Sequence, residues 1–184
     1  RNSVGFYGYN SGANRTYGFL NDPNLPAYSN VAAGVGGTGW NVKTFNEIVA
    51  DILEALRALL TGSKDVIDIS TTPICLAVST NRVDYLATVN TLGTISVREW
   101  LRQTYPNVRV ESAPELDGAN SSANVFYLYA ETVPESGSDD QRTFVQVVPS
   151  KFQTLGVQQL VKGYEEGYTN ASAGVMLKRP YAVV

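Results

Sequence analysis

One amphipathic run constrains this chain more than anything else in it. Phe45, Ile48, Val49, Ile52, Leu53, Leu56, Leu59 and Leu60 recur at helical spacing and form one broad apolar stripe. Lys43, Asn46, Glu47, Asp51, Glu54 and Arg57 fall mostly elsewhere. Thr44-Phe45-Asn46-Glu47 has the form of a capping box, in which the Thr oxygen accepts from an orphan helix N–H while the Glu reaches back. The spacing predicts a helix over 45–61 with Gly62 as its stop. Such a helix argues against a pure β sandwich.

The other elements are shorter. Residues 1–41 are rich in Gly, Asn and Tyr, carry Pro23 and Pro26, and show no sustained period, so they read as extended or loop structure. Ile74-Cys75-Leu76-Ala77-Val78, after Pro73, reads as a strand buried on both faces. Ser79-Thr80 opens a second helix carrying Val83, Tyr85, Leu86 and Val89. A third begins at Ser96, with Glu99 completing another capping box, Val97, Trp100 and Leu101 as apolar members, and Pro106 as its end. Val108 and Val110 alternate with Arg109 and Glu111, the pattern of a half-exposed strand. Residues 114–124 are a turn-rich connection. Residues 125–130 are apolar on both faces, hence central or covered by a neighbour. A polar loop over 134–142 leads to a strand over 143–148. Residues 151–184 are Gly-punctuated and read as β, most clearly at 175–184, where Pro180 places the strand at an edge or a bulge. The helices are not evenly interleaved with the strands, so the class is α+β and not a doubly wound sheet.

Composition removes much chemistry. The 184 residues suffice for one domain or two small subdomains sharing a core. There is no histidine, which excludes Ser-His-Asp and Cys-His triads and His-ligated zinc. The single cysteine, Cys75, excludes a disulfide framework; inside an apolar strand it behaves as a small hydrophobe. The net charge of −3 gives no drive for tight nucleic-acid binding by counterion release. No apolar run approaches the roughly 18–20 residues a membrane helix needs. Charged residues are only 17%, against about 25% in a typical globular protein, and Asn, Ser, Thr and Tyr stand in their place. That describes a protein–protein interface or, equally, a β-rich protein with an Asn/Thr-rich surface. The chain opens on Arg1 with no signal-peptide pattern and stops inside an apolar run, so further segments are expected beyond both ends.

Few motifs offer a site. Gly34-Val35-Gly36-Gly37-Thr38-Gly39 satisfies G-x-G-x-x-G, the loop that lets a backbone approach a pyrophosphate at a helix N-terminus. Its context is wrong: no strand precedes it, the cap at Thr44 lies several residues on, and Ser79-Thr80 stands where a ribose-binding acid belongs. A hinge or turn is the expectation. Glu165-Glu166 would point to opposite faces of a strand and cannot share a proton or metal. Asp139-Asp140 lies in the polar loop. Trp40 and Trp100 read as core or interface anchors. Arg98, Arg102, Arg109, Lys178 and Arg179 are scattered and make no nucleic-acid stripe. The sequons Asn14-Arg15-Thr16, Asn120-Ser121-Ser122 and Asn170-Ala171-Ser172 are expected by chance at this Asn, Ser and Thr content. No catalytic, cofactor-binding or metal residue is assigned.

Four stretches, in order, resemble the major capsid proteins of tailed phages, whose shell fold is shared with encapsulin nanocompartments. Tyr17-Gly18-Phe19-Leu20-Asn21-Asp22-Pro23-Asn24 resembles the turn after the family's spine helix. The helix over 45–61 is similar to the one that follows. Leu76-Ala77-Val78-Ser79-Thr80-Asn81-Arg82 with Tyr85-Leu86 resembles the strand-to-helix step, with Thr80 at a position many relatives give to proline. Gly174-Val175-Met176-Leu177-Lys178-Arg179-Pro180-Tyr181-Ala182-Val183 resembles the closing strand.

The resemblance implies a peripheral β-rich domain over 1–44 and 145–184, and an axial domain of helices around a small sheet over 45–144. It implies a shell subunit that transforms no substrate and packs with copies of itself as hexamers and pentamers around double-stranded DNA. Scaffolding and portal proteins would be further partners, with a location in the virion and, during assembly, in the host cytoplasm. The arm, extended loop and spine helix that lace subunits together would precede Arg1, so residues 1–184 alone are expected to be monomeric or weakly associated. An encapsulin-like compartment is the nearest alternative. A dinucleotide-binding enzyme using the loop at Gly34 to Gly39, and a secreted carbohydrate-binding domain suggested by the Asn, Tyr and Trp content, stand further off.

Overall fold

The apolar stripe forms a helix over Phe45–Ser63 in the computed structural model, which describes residues 3–12, 14–134 and 140–184. In chain order the helices are α1 (Ser3–Tyr7), α2 (Phe45–Ser63), α3 (Thr80–Val83) and α4 (Val97–Thr104). The strands are β1 (Tyr9–Ser11), β2 (Asn14–Thr16), β3 (Ile74–Ser79), β4 (Val108–Ala113), β5 (Phe126–Ala130), β6 (Phe144–Gln146), β7 (Ser150–Leu160), β8 (Gly163–Ala171) and β9 (Val175–Leu177). The chain divides into two units, Arg1–Leu25 with Phe144–Lys178 and Pro26–Thr143 with Arg179–Val184.

The second unit holds the main core. Strand β3 is central, parallel to β4 on one side and antiparallel to β5 on the other. All six of its residues are buried, as its unbroken apolar run requires. Ile74, Leu76 and Val78 join Leu128 and Ala130 in one hydrophobic cluster with Ile48, Ile52, Leu56 and Leu59 of α2. The start of α2 is held as expected, with Glu47 Oε2 accepting from Thr44 N at 2.7 Å. Its end is not. The helix runs through Gly62 to Ser63 and is capped by Lys64 in the left-handed region (φ 52°), whose amide bonds to the carbonyls of Leu60 and Thr61. Asp65 follows, also at positive φ.

Three further expectations are corrected in this unit. The second helix is only the single turn α3, followed by a 3₁₀ turn over Asp84–Ala87. Val89 lies beyond it, half exposed, in an isolated bridge to Ser96. Pro180 sits in no strand; it opens a 3₁₀ turn, Pro180–Ala182. The chain end then covers the outer side of β5: Leu128 and Val184 exchange two backbone hydrogen bonds of 2.8 Å. The face of β5 turned from the core carries Tyr127, whose ring packs against Tyr28 at 6.0 Å between centroids. At α4, Ser96 Oγ accepts from Glu99 N at 3.2 Å, but the Glu99 carboxylate turns to Arg102 and Gln103, so the second capping box is only half made.

The compact units divide at 25/26, 143/144 and 178/179, beside the domain bounds of 1–44 with 145–184 and 45–144 that the resemblance implies. Residues 26–44 belong with α2, for a physical reason. Trp40 Nε1 donates to Asp51 Oδ2 at 2.8 Å, and Lys43 Nζ reaches both Asp51 oxygens at 2.7 and 2.6 Å. All three residues are buried. A buried carboxylate must be paired, and its partners come from the segment before the helix. Residues 179–184 belong with the same unit through their pairing to β5.

The first unit joins short pieces to one longer hairpin. The N-terminal stretch is not all loop; it contains α1 and the two-stranded β1–β2 ladder, elements too brief to show a period. Phe19 packs against Phe6 at 6.0 Å and Phe144 at 4.4 Å between ring centroids. Strand β6 pairs with β9, and β7 with β8, each pair antiparallel.

Candidate functional site

The glycine loop is a closed turn and not a phosphate cradle. Residues 26–33 before it contain no strand. The amide of Val35, which a phosphate would need, donates to Glu47 Oε1 at 2.8 Å. A carboxylate therefore occupies the anion's place, and the dinucleotide reading fails on charge as well as on context.

The other candidates resolve as structure. Cys75 is buried, and burial pushes its thiol up, away from the reactive thiolate. Trp40 is a core residue, and Trp100 packs partly buried against the same core. Arg102 is paired with Glu99 at 2.7 Å, and Arg109 bridges Glu111 and Glu131 at 2.5 and 2.6 Å. Arg179 is buried and donates to the carbonyls of Asp140 and Arg142. Asp139 lies outside the described residues; Asp140 accepts from Arg142 N. Among the described residues no cluster of three metal-ligating side chains occurs and no helix is long and apolar enough to cross a membrane.

What remains is a surface. Strands β7 and β8 form a long hairpin that is exposed almost throughout. The register pairs Thr154 with Tyr168, Val157 with Glu166 and Gln159 with Tyr164, which puts Phe152, Val157, Tyr164 and Tyr168 on one face. Phe152 and Tyr168 stack at 5.2 Å and 20°. Leu155 and Leu160 lie on the other face, where Leu155 covers the bare backbone of Gly167. Exposure is 66% at Phe152, 69% at Leu155 and 75% at Tyr164. As expected of neighbours on a strand, Glu165 and Glu166 fall on opposite faces, and Glu166 accepts from the Tyr168 hydroxyl at 2.7 Å. Each strand pairs only with the other among the described residues. Exposed apolar side chains on both faces and two edges unpaired among the described residues suit a protein partner. The β character of this Gly-punctuated segment was readable; that neither face meets a core was not, since each face mixes apolar and polar residues.

The conspicuous sequence stretches turn out to brace each unit from inside. Val175 N donates to Tyr17 O at 3.1 Å, and Leu177 N to Asp22 Oδ2 at 3.0 Å. Gly174 has φ +86°, and a Cβ there would meet the Tyr17 carbonyl oxygen; only glycine fits. Asn21 accepts from Gly18 N at 2.7 Å. The first and last stretches are thus tied to each other. In the other unit Ser79 Oγ donates to Asp117 Oδ1 at 2.5 Å, and Asn81 N to the same oxygen at 3.2 Å. Nothing in the sequence singled out Asp117, which lies 38 residues from Ser79.

The family described as Pa193 gp26 major capsid protein matches residues 1–184. The chain belongs to that family. Two solved structures show the fold. A chain in the capsid of Myoviridae phage XM1 matches with a TM-score of 0.69 and 16% identity, covering 98% of this chain and 57% of that one. A chain of the virus-like particle from Pyrococcus furiosus matches with a TM-score of 0.50 and 18% identity, covering 85% of this chain and 56% of that one. The chain is α+β with the tailed-phage major capsid fold, and it spans a little over half the length of each of these proteins. No curated protein matches it in sequence.

Proposed function

We propose that this chain is the structural subunit, or part of it, of a tailed-phage or prophage capsid, assembling with copies of itself through hexamers and pentamers into an icosahedral shell around double-stranded DNA. Membership of a major capsid family over residues 1–184 carries the reading. The exposed β7–β8 hairpin supports it, since a two-stranded ribbon is marginal in water and gains by being covered. The unit Arg1–Leu25 with Phe144–Lys178 then corresponds to the peripheral domain, and Pro26–Thr143 with Arg179–Val184 to the axial domain, whose tips meet around five-fold and six-fold axes. The work is packing, with no substrate transformed and no cofactor or metal. Scaffolding and portal proteins are further partners, and the locations are the virion and the host cytoplasm during assembly. The likeness to the Pyrococcus particle favours an encapsulin-like shell as the second reading.

Electron microscopy of the product of the whole reading frame tests the proposal. Closed icosahedral shells are the expected result; a product that stays monomeric at every concentration overturns it. The contents of purified shells separate the two readings: double-stranded DNA for a capsid, a cargo enzyme for a compartment.

A further inference from the structure

The turn at 34–37 is closed by its own backbone. Gly34 N donates to Gly37 O at 2.8 Å, and Gly37 N to Gly34 O at 3.2 Å. At its tip the Val35 side chain is fully exposed. The turn is joined to α2 by one side chain. Glu47 Oε1 accepts from Val35 N at 2.8 Å, while Oε2 accepts from Thr44 N at 2.7 Å and Thr44 Oγ1 at 2.8 Å. A capping box uses only the second oxygen; the bond to Val35 is additional. Gly34 makes room for it, since a Cβ there would stand 2.6 Å from Oε1 and 2.7 Å from Cδ of Glu47.

We infer that Glu47 is an acid-sensitive latch: its carboxylate holds the glycine turn and the first turn of α2 together, fixes Val35 in solvent, and weakens that tie on protonation. Only the ionised form accepts all three bonds. A protonated carboxyl carries a hydrogen on one oxygen, and neither the Val35 nor the Thr44 amide can accept it. The Thr44 amide first, then the Val35 amide and the Thr44 hydroxyl, hold the carboxyl below the ordinary glutamate value, with a smaller pull from Lys43. A folded pKa below the unfolded one gives stabilisation that is complete above the unfolded value and lost as pH falls through the folded value. Lys43 is the charged neighbour on the preceding segment, and Asp51 on the next turn of α2 already binds its ammonium. Residues 34–38 contain no titratable group. Glu47 is a positioning residue, and the latch does not depend on the shell reading.

An NMR titration of residues 1–184 decides it. The expected result is that the Val35 and Thr44 amide protons shift with the Glu47 carboxyl carbon at one common midpoint below the ordinary glutamate value. Glu47→Gln removes both amide responses. Gly34→Ala, which pushes the carboxylate away from the turn, abolishes the Val35 response, keeps that of Thr44 and raises the Glu47 midpoint. A Val35 amide that does not follow Glu47 in the unaltered chain overturns the inference, as does an unchanged midpoint in Gly34→Ala.

Discussion

Strand β3 and the β7–β8 hairpin both carry large apolar side chains, and those side chains have opposite fates. β3 is buried at every position between two neighbouring strands, with α2 among its packing partners. The hairpin carries Phe152, Leu155, Val157, Leu160, Tyr164 and Tyr168 among polar residues and exposes all of them. Burying apolar area stabilises by roughly 25 cal/mol per Å², so the first region contributes to the stability of the chain itself. The second leaves its apolar area in water. On the proposed reading, the first region serves folding and the second association.

The comparison can be broken by substitution. Asp51→Ala leaves the Lys43 ammonium buried without its carboxylate and has the largest expected effect, about 3–5 kcal/mol. Urea unfolding followed by tryptophan fluorescence measures it, Trp40 being in contact with the lost group. Ile52→Ala, fully buried in α2, should cost about 2–5 kcal/mol in the same assay. Asp22→Ala removes the acceptor of the Leu177 and Asn24 amides and should cost about 1–3 kcal/mol, read by loss of amide protection at Leu177. Ser96→Ala deletes the cap of α4, worth about 1 kcal/mol. Val157→Ser on the hairpin should fall within about 0.5 kcal/mol for residues 1–184, yet prevent shell formation in the whole protein. If Val157→Ser costs as much as Ile52→Ala, the hairpin is already covered within the chain and the contrast collapses.

The start of α2 and the existence of β3 were legible because their signals are local: a stripe at helical spacing, a cap, an unbroken apolar run. The end of α2 was not. Glycine is the usual left-handed cap, but Lys64 adopts that conformation here, and its amide still reaches the Leu60 and Thr61 carbonyls. Lys43 and Asp51 fall off the apolar stripe, yet each is buried because the other neutralises it. The succession of family stretches was also legible. The bonds that make them matter were not, since they join Tyr17 to Val175 and Ser79 to Asp117 across long separations in the chain.

From its residues alone, this chain was committed to an α+β class with one strong amphipathic helix, and barred from chemistry that needs histidine or paired cysteines. Those are consequences of side-chain type and short-range spacing, which no tertiary arrangement can alter. Tertiary structure alone decided that Glu47 meets the glycine turn, that Val184 closes the edge of β5, and that the hairpin is left bare. Each depends on which distant surfaces meet, and a sequence read residue by residue carries no distances between them.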